Sequence, residues 1–245
     1  MAGPPSIILG SVVVVIPTLN EETAIAEVIH SIPRAIVSCV IVADGGSTDG
    51  TAVQAQSAGA QVIAAGPGYG NACFTATQAA ETADIVVFMD GDGADDAACI
   101  PALVDPILSG EYDFVIGSRT RGVRESGSMA WHQIVAGLTA GLAMRILYGA
   151  RYTDMCAFRA IRRDALLALG MRELTYGWNL EMQMRAARAG LRILEVPTSS
   201  RRRIGGVSKV SGSWRGTLRA GTRIIATFVR VAALDVVIRN PGQRG

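Results

Sequence analysis

Histidine and cysteine are scarce in this chain, and neither falls into a ligand pattern. The two histidines, His30 and His132, argue against a histidine-based zinc site. The four cysteines, Cys39, Cys73, Cys99 and Cys156, show no C-x-x-C spacing. They read as reduced core thiols, which places the protein in the cytoplasm. Aromatic residues make up 5% and charged residues 18%, against 49% hydrophobic, so a disordered chain is excluded. The net charge of +2 by itself decides nothing about an anionic partner, and no nucleic-acid partner is expected. No basic segment precedes the apolar start "SIILGSVVVVIP", which reads as a lead-in to a first strand rather than a signal. A long uninterrupted apolar run is missing too. Ser126 to Met144 carries no formal charge but contains Ser, His, Gln, Thr and three glycines, so it reads as a buried or surface-lying helix rather than a span.

What is present is alternation. Val12 to Ile16 is a continuous apolar strand, as in a parallel sheet covered on both faces. Ile25, Val28, Ile29 and Ile32 then fall at helical spacing, with Asn20 as the expected cap and Pro33 as the stop. Strand-like "CVIVAD", "QVIAA", "DIVVFMD" and "DFVIGSR" follow, separated by helical patterns. This order predicts an α/β fold, a doubly wound, mostly parallel sheet with helices on both faces. A helix from about Met129 to Tyr148, a short strand or turn near "YTDMCAFRAI", helices near Asp164 to Leu169 and Trp178 to Ala189, and a strand at "LRILEVP" are also expected. The 245 residues suit one domain, or a domain with an extension.

In such sheets ligands sit beyond the carboxyl ends of the strands, and the loops of unusual composition lie there. "MDGDGADD" places Asp90, Asp92, Asp95 and Asp96 at the end of an apolar strand. Hard carboxylate oxygens select Mg²⁺ or Mn²⁺, and Mg²⁺ takes one or two carboxylates plus substrate phosphates. An EF-hand is excluded, because its sixth position would be Asp95 and its twelfth Pro101. A plainer role, solvation and capping of the next helix, suits Asp95 and Asp96 better than Asp90 and Asp92. "GPGYGNA" lacks the last glycine of the dinucleotide fingerprint. It is either a tight turn or a phosphate- or sugar-facing helix start. In "ADGGSTDGT", Ser47, Thr48 or Asp49 can cap the next helix, leaving Asp44 to accept hydrogen bonds from a ribose or base. Arg and Lys dominate from Arg185 onward, and "SSRRRIGGVSKVSGS" reads as a basic mobile loop.

Together "VVVVIPTLNEE", "IVADGGSTDGT", "GYGNA", "FMDGDG", "IGSR", "TDMCAFRAIRRDAL", "RIGGVSK" and "WNLEMQMRAARAGLRILEVP" resemble glycosyltransferase family 2, the inverting GT-A enzymes. The branch they resemble is that of the dolichyl- or polyprenyl-phosphate sugar synthases and their bacterial relatives. The resemblance implies a GT-A domain over residues 1–213 and a C-terminal amphipathic helix and tail over 214–245. It implies that Pro17, Leu19, Glu21, Asp44 and Gly70 line the donor pocket, and that Asp90 and Asp92 hold Mg²⁺ or Mn²⁺ on the donor diphosphate. Arg119 is to approach the phosphates or acceptor. Arg203, Ser208 and Lys209 are to form a loop closing over the substrates. Asp92, Arg119 and Asp154 are the candidate catalytic residues.

The expected reaction moves a sugar from a UDP- or GDP-sugar to an acceptor. A hydroxyl acceptor needs a base, with Asp154 the first candidate and Glu181 the second; a lipid phosphate needs none. Glu181 has the plainer alternative of a helix-surface carboxylate pairing with Arg185 at i,i+4. Competing readings are transfer to a soluble hydroxyl, a nucleotidyltransferase and a non-catalytic sugar-nucleotide binder. A polyprenyl-phosphate acceptor calls for a membrane contact. Arg215, Arg219, Arg223 and Arg230 form a helical stripe opposite Leu218, Ile225, Val229, Ala232 and Val236. That helix is expected either to lie on an anionic leaflet or to pack on the domain or a second subunit. A membrane subunit and a homo-oligomer are the other partners compatible with it.

Overall fold

The computed structural model describes residues 10–125, 128, 131–205, 222 and 226–232. Seven strands form one sheet: β1 (Val12–Thr18), β2 (Val37–Asp44), β3 (Gln61–Ala64), β4 (Ile85–Phe88), β5 (Phe114–Ser118), β6 (Arg159–Arg162) and β7 (Ile193–Pro197). The helices are α1 (Ile25–Ser31), α2 (Thr51–Ser57), α3 (Tyr69–Ala79), α4 (Ile100–Leu108), α5 (Trp131–Tyr148), α6 (Arg163–Ala168) and α7 (Trp178–Arg188). The strand order is β3-β2-β1-β4-β6-β5-β7.

β1 is central because its side chains are apolar in both directions. Val12 to Ile16 are all buried, and successive strand residues face opposite sides, so both faces of the sheet are covered. Each such side chain contributes about 1.5–3 kcal/mol of burial. Helix α1 stops as its sequence requires: Ile32, before Pro33, is extended with ψ 128°. Its start differs from expectation. Asn20 does not cap α1, whose N-cap position is Ala24.

β6 is the element least legible in the sequence. It runs antiparallel between β4 and β5. Two reversals restore direction, so β5 and β7 run parallel to β1, β2 and β4. Asp113 fastens this half, gripping Arg192 at 2.7 and 2.9 Å just ahead of β5 and β7. That hydrogen-bonded guanidinium draws the Asp113 carboxyl down to about 2. The consequence for function is positional. The carboxyl ends of β1, β2, β4, β5 and β7, and the chain entering β6, all open on one side.

Candidate active site

The ends of β1 and β2 are stitched to each other. The Gly45 N–H donates to the Thr18 carbonyl at 2.8 Å. Asn20, at φ 52°, donates its N–H to Ser47 Oγ and accepts from the Thr48 N–H, each at 2.9 Å. This stitching is what occupies Asn20 instead of a cap. The Glu21 N–H donates to Thr51 Oγ1 at 2.8 Å, which buries Glu21 beside α2. Asp44, which the sequence leaves free for a ligand, already accepts from the Ser47 N–H and hydroxyl. Pro17 is half-buried and Leu19 exposed at the same rim.

Next to them β4 delivers the acids. Asp92 is buried and takes the Ala94 N–H on Oδ1 at 2.8 Å. Asp90 is half-buried. Its own N–H donates to Asp95 Oδ2 at 3.0 Å. Burial, then the charges of Asp95 and Asp92, push the Asp90 carboxyl well above the usual carboxylate range. Burial likewise lifts Asp95 to about 6, against the pull of that N–H. Asp95 is therefore not the solvated turn residue expected of it, whereas Asp96 does cap the next turn through the Ala98 N–H at 3.3 Å. Three carboxylates crowded at one strand end are a demand for positive charge.

A cation of the protein's own meets that demand. Arg203 places Nη1 3.0 Å from Asp92 Oδ2 and Nη2 3.1 Å from Glu21 Oε1. The segment carrying it lies across the acids. The Arg201 N–H donates to the Ala94 carbonyl at 2.9 Å and the Ile204 N–H to the Asp92 carbonyl at 3.0 Å. The Ile204 side chain fills the space a side chain at Gly93 would need, which accounts for that glycine. Among the described residues no group of three or more His, Cys, Asp or Glu side chains is arranged to hold a metal. Asp90 and Asp92 fit a metal that completes its shell with donor phosphates, and the guanidinium on Asp92 shows that this position accepts a cation.

At the end of β5 a second assembly faces the same opening. Arg119 grips Asp154 with Nε to Oδ2 and Nη2 to Oδ1, both 2.8 Å, and its N–H adds a 3.0 Å bond to Oδ2. Both oxygens of Asp154 are thus taken. Asp154 is itself set by Glu195 on β7, whose Oε1 accepts the Thr153 and Asp154 N–H groups at 2.8 and 3.2 Å. Sequence reasoning misses Glu195. Its one signal there is a lone acid inside an apolar strand.

Two residues of the expected site have other occupations. Gly70 is expected against the donor, but a side chain there would run into the Glu173 carbonyl and the Leu174 backbone. The Asn71 N–H donates to the Leu174 carbonyl at 2.9 Å, so that close approach accounts for the glycine. Glu181 is fully buried and accepts from the N–H groups of Arg172 and Glu173 at 2.9 and 2.6 Å and from Arg185 Nε at 3.0 Å. It is a structural carboxylate that pairs with Arg185 as the plainer reading has it, but buried in the domain rather than on the helix surface. Ser208 and Lys209 lie outside the described residues, as do Arg215, Arg219 and Arg223.

Residues 13–170 match the model of the family described as glycosyl transferase family 2. The chain belongs to that family. This glycosyltransferase is 39% identical over 213 residues to an uncharacterised glycosyltransferase of Mycobacterium tuberculosis, covering 86% of this chain and 94% of the other. It is 30% identical over 215 residues to the undecaprenyl-phosphate mannosyltransferase of Micrococcus luteus, covering 82% and 88%. Its GT-A fold superposes on glucosyl-3-phosphoglycerate synthase of M. tuberculosis, solved with Mn²⁺, UDP-glucose and phosphoglyceric acid. There the TM-score is 0.73 at 26% identity, over 91% of this chain and 80% of that one.

Proposed function

We propose that this glycosyltransferase moves a sugar from a nucleoside-diphosphate sugar, with inversion, to a polyprenyl phosphate. The observation that carries the acceptor is the locked Asp154. A hydroxyl acceptor must lose its proton to a base. Both Asp154 oxygens are held by Arg119, and Glu181 is buried under the loop it ties down. A lipid phosphate arrives ionised and needs no base. It needs cations, and Arg119, Arg121 and Arg124 follow β5 at the same opening. The Micrococcus relative is named for such an acceptor.

In the reaction a phosphate oxygen bonds to the anomeric carbon as the bond from that carbon to the donor diphosphate breaks. Pro17, Leu19, Glu21 and Asp44 line the nucleotide. Asp90 and Asp92 would hold Mg²⁺ or Mn²⁺, which would supply Lewis-acid stabilisation of the leaving diphosphate. Arg203 turns from Asp92 to the diphosphate. Arg119, held flat by Asp154, steers the acceptor phosphate and neutralises it. The work takes place on the cytoplasmic side, at the membrane surface that supplies the lipid.

The test is a transfer assay with UDP- and GDP-sugars, Mn²⁺, and either polyprenyl phosphate or 3-phosphoglycerate. Sugar should appear on the polyprenyl phosphate. Transfer to phosphoglycerate alone would replace this reading with a soluble hydroxyl acceptor, the one the M. tuberculosis synthase carries in its crystal.

A further inference from the structure

α5 shows its large apolar side chains to the outside. Leu138, Leu142 and Ile146, at i, i+4 and i+8, are 53%, 59% and 73% exposed, and Leu147 beside them is 41% exposed. The face turned to the domain carries two glycines, Gly137 and Gly141, followed by Met144, which is buried, and Tyr148, which packs on the core. Gly137 lies against Thr153 and Asp154, and a side chain at Gly141 would strike the Tyr152 carbonyl. A helix serving only the core would have the reverse arrangement, and an exposed apolar stripe of this kind marks an interaction surface.

We propose that this outer face of α5 docks on the surface of an anionic lipid bilayer. Charge selects the occupant. Between Glu125 and Asp154 there is no acid at all, while Arg145 and Arg151 are exposed along and beyond the stripe. A second copy would set arginine against arginine, whereas anionic headgroups answer both the arginines and the leucines. No helix among the described residues is long and apolar enough to cross a membrane, so α5 lies in the interface. Position gives the docking a use. The inner face of α5 touches Thr153 and Asp154, and Asp154 holds Arg119. A bilayer against the outer face is thus about one helix diameter, 10–12 Å, from Thr153 and Asp154, the residue that holds the cation proposed to receive the lipid phosphate. The inference rests on the lipid-acceptor reading for this purpose, but its test reads lipid binding without any transfer.

The full chain is floated with phosphatidylglycerol-containing vesicles and with pure phosphatidylcholine vesicles, at low and high salt. Wild type should float with the anionic vesicles only, and less at high salt. Leu142→Glu with Ile146→Glu should abolish flotation while the melting temperature stays put, since both side chains already face water. Arg145→Ala should weaken it about fivefold. Three results would overturn the proposal: wild type that ignores anionic vesicles at low salt, a double variant that floats like wild type, or a wild-type dimer that the double variant splits. Flotation without transfer to polyprenyl phosphate would sink the acceptor reading and leave this one standing.

Discussion

At the scale of single residues, the site divides into what a strand end announces and what only neighbouring strands reveal. Asp90 and Asp92 are legible because two carboxylates around a glycine, after the five apolar residues Ile85 to Met89, have no evident structural use. Asp95 resembles a cap because capping is what the next helix asks of the position. Its approach to Asp90 depends on how the loop turns back. Glu195 shows in the sequence only as a lone acid in an apolar strand, since its partners Thr153 and Asp154 stand beside it only once β7 pairs with β5. The Glu195–Asp154–Arg119 chain gives the residue-scale prediction. Asp154→Asn keeps the shape but removes the charge that holds the guanidinium. Transfer should fall on the order of tenfold to a hundredfold through misplacement of Arg119. The pH profile should keep its form; loss of its acid limb would mark Asp154 as a base instead.

At the scale of elements, the parallel half is open to reading because a continuous run of Val and Ile suits a strand buried on both faces and little else. β6 is not, since "RAIR" is four residues long and direction is not encoded in so short a pattern. The connection from β6 to α7 is held by buried polar groups. Arg159 is fully buried over the Phe114 ring and donates to the carbonyls of Asn179 and Cys156. Glu181 ties down the loop after α6, and Glu173 of that loop accepts from Thr227 Oγ1 and Arg230 Nη2, both at 3.0 Å. The described helical stretch 226–232 packs Phe228, Val231 and Ala232 on the core, as the packing alternative expects of Ala232, but it leaves Val229 59% exposed and rests Arg230 on Glu173. Glu181→Ala strands two backbone N–H groups and Arg185, and should cost about 3–5 kcal/mol by chemical denaturation. Glu181→Gln should cost less, and its folded fraction should keep turnover.

For the molecule as a whole, the doubly wound topology is legible, and with it the side on which the loops gather. The resting state of that opening is not, because no sequence pattern says which carboxylate an arginine chooses. Arg203 chooses Asp92 and Glu21, and with metal held at Asp92 as proposed, the protein would be its own competitor for that metal. A divalent ion arriving alone has to evict a guanidinium, so its apparent affinity is reduced to the small fraction of molecules in which Asp92 is free. An ion arriving with a nucleotide diphosphate offers Arg203 a new anion as it takes the old one. Metal and nucleotide should therefore bind with positive coupling, and by reciprocity each tightens the other by the same factor. Titration calorimetry with Mn²⁺, with and without UDP, reads that factor. In Arg203→Gln, Mn²⁺ alone should bind more tightly than to wild type, and UDP should add less than it adds to wild type, only what its direct coordination of the metal supplies. Equal Mn²⁺ affinity in the two proteins would mean that the guanidinium bars nothing. With the proposed metal site, an enzyme built this way would ignore the free metal around it and answer only to the metal its substrate brings.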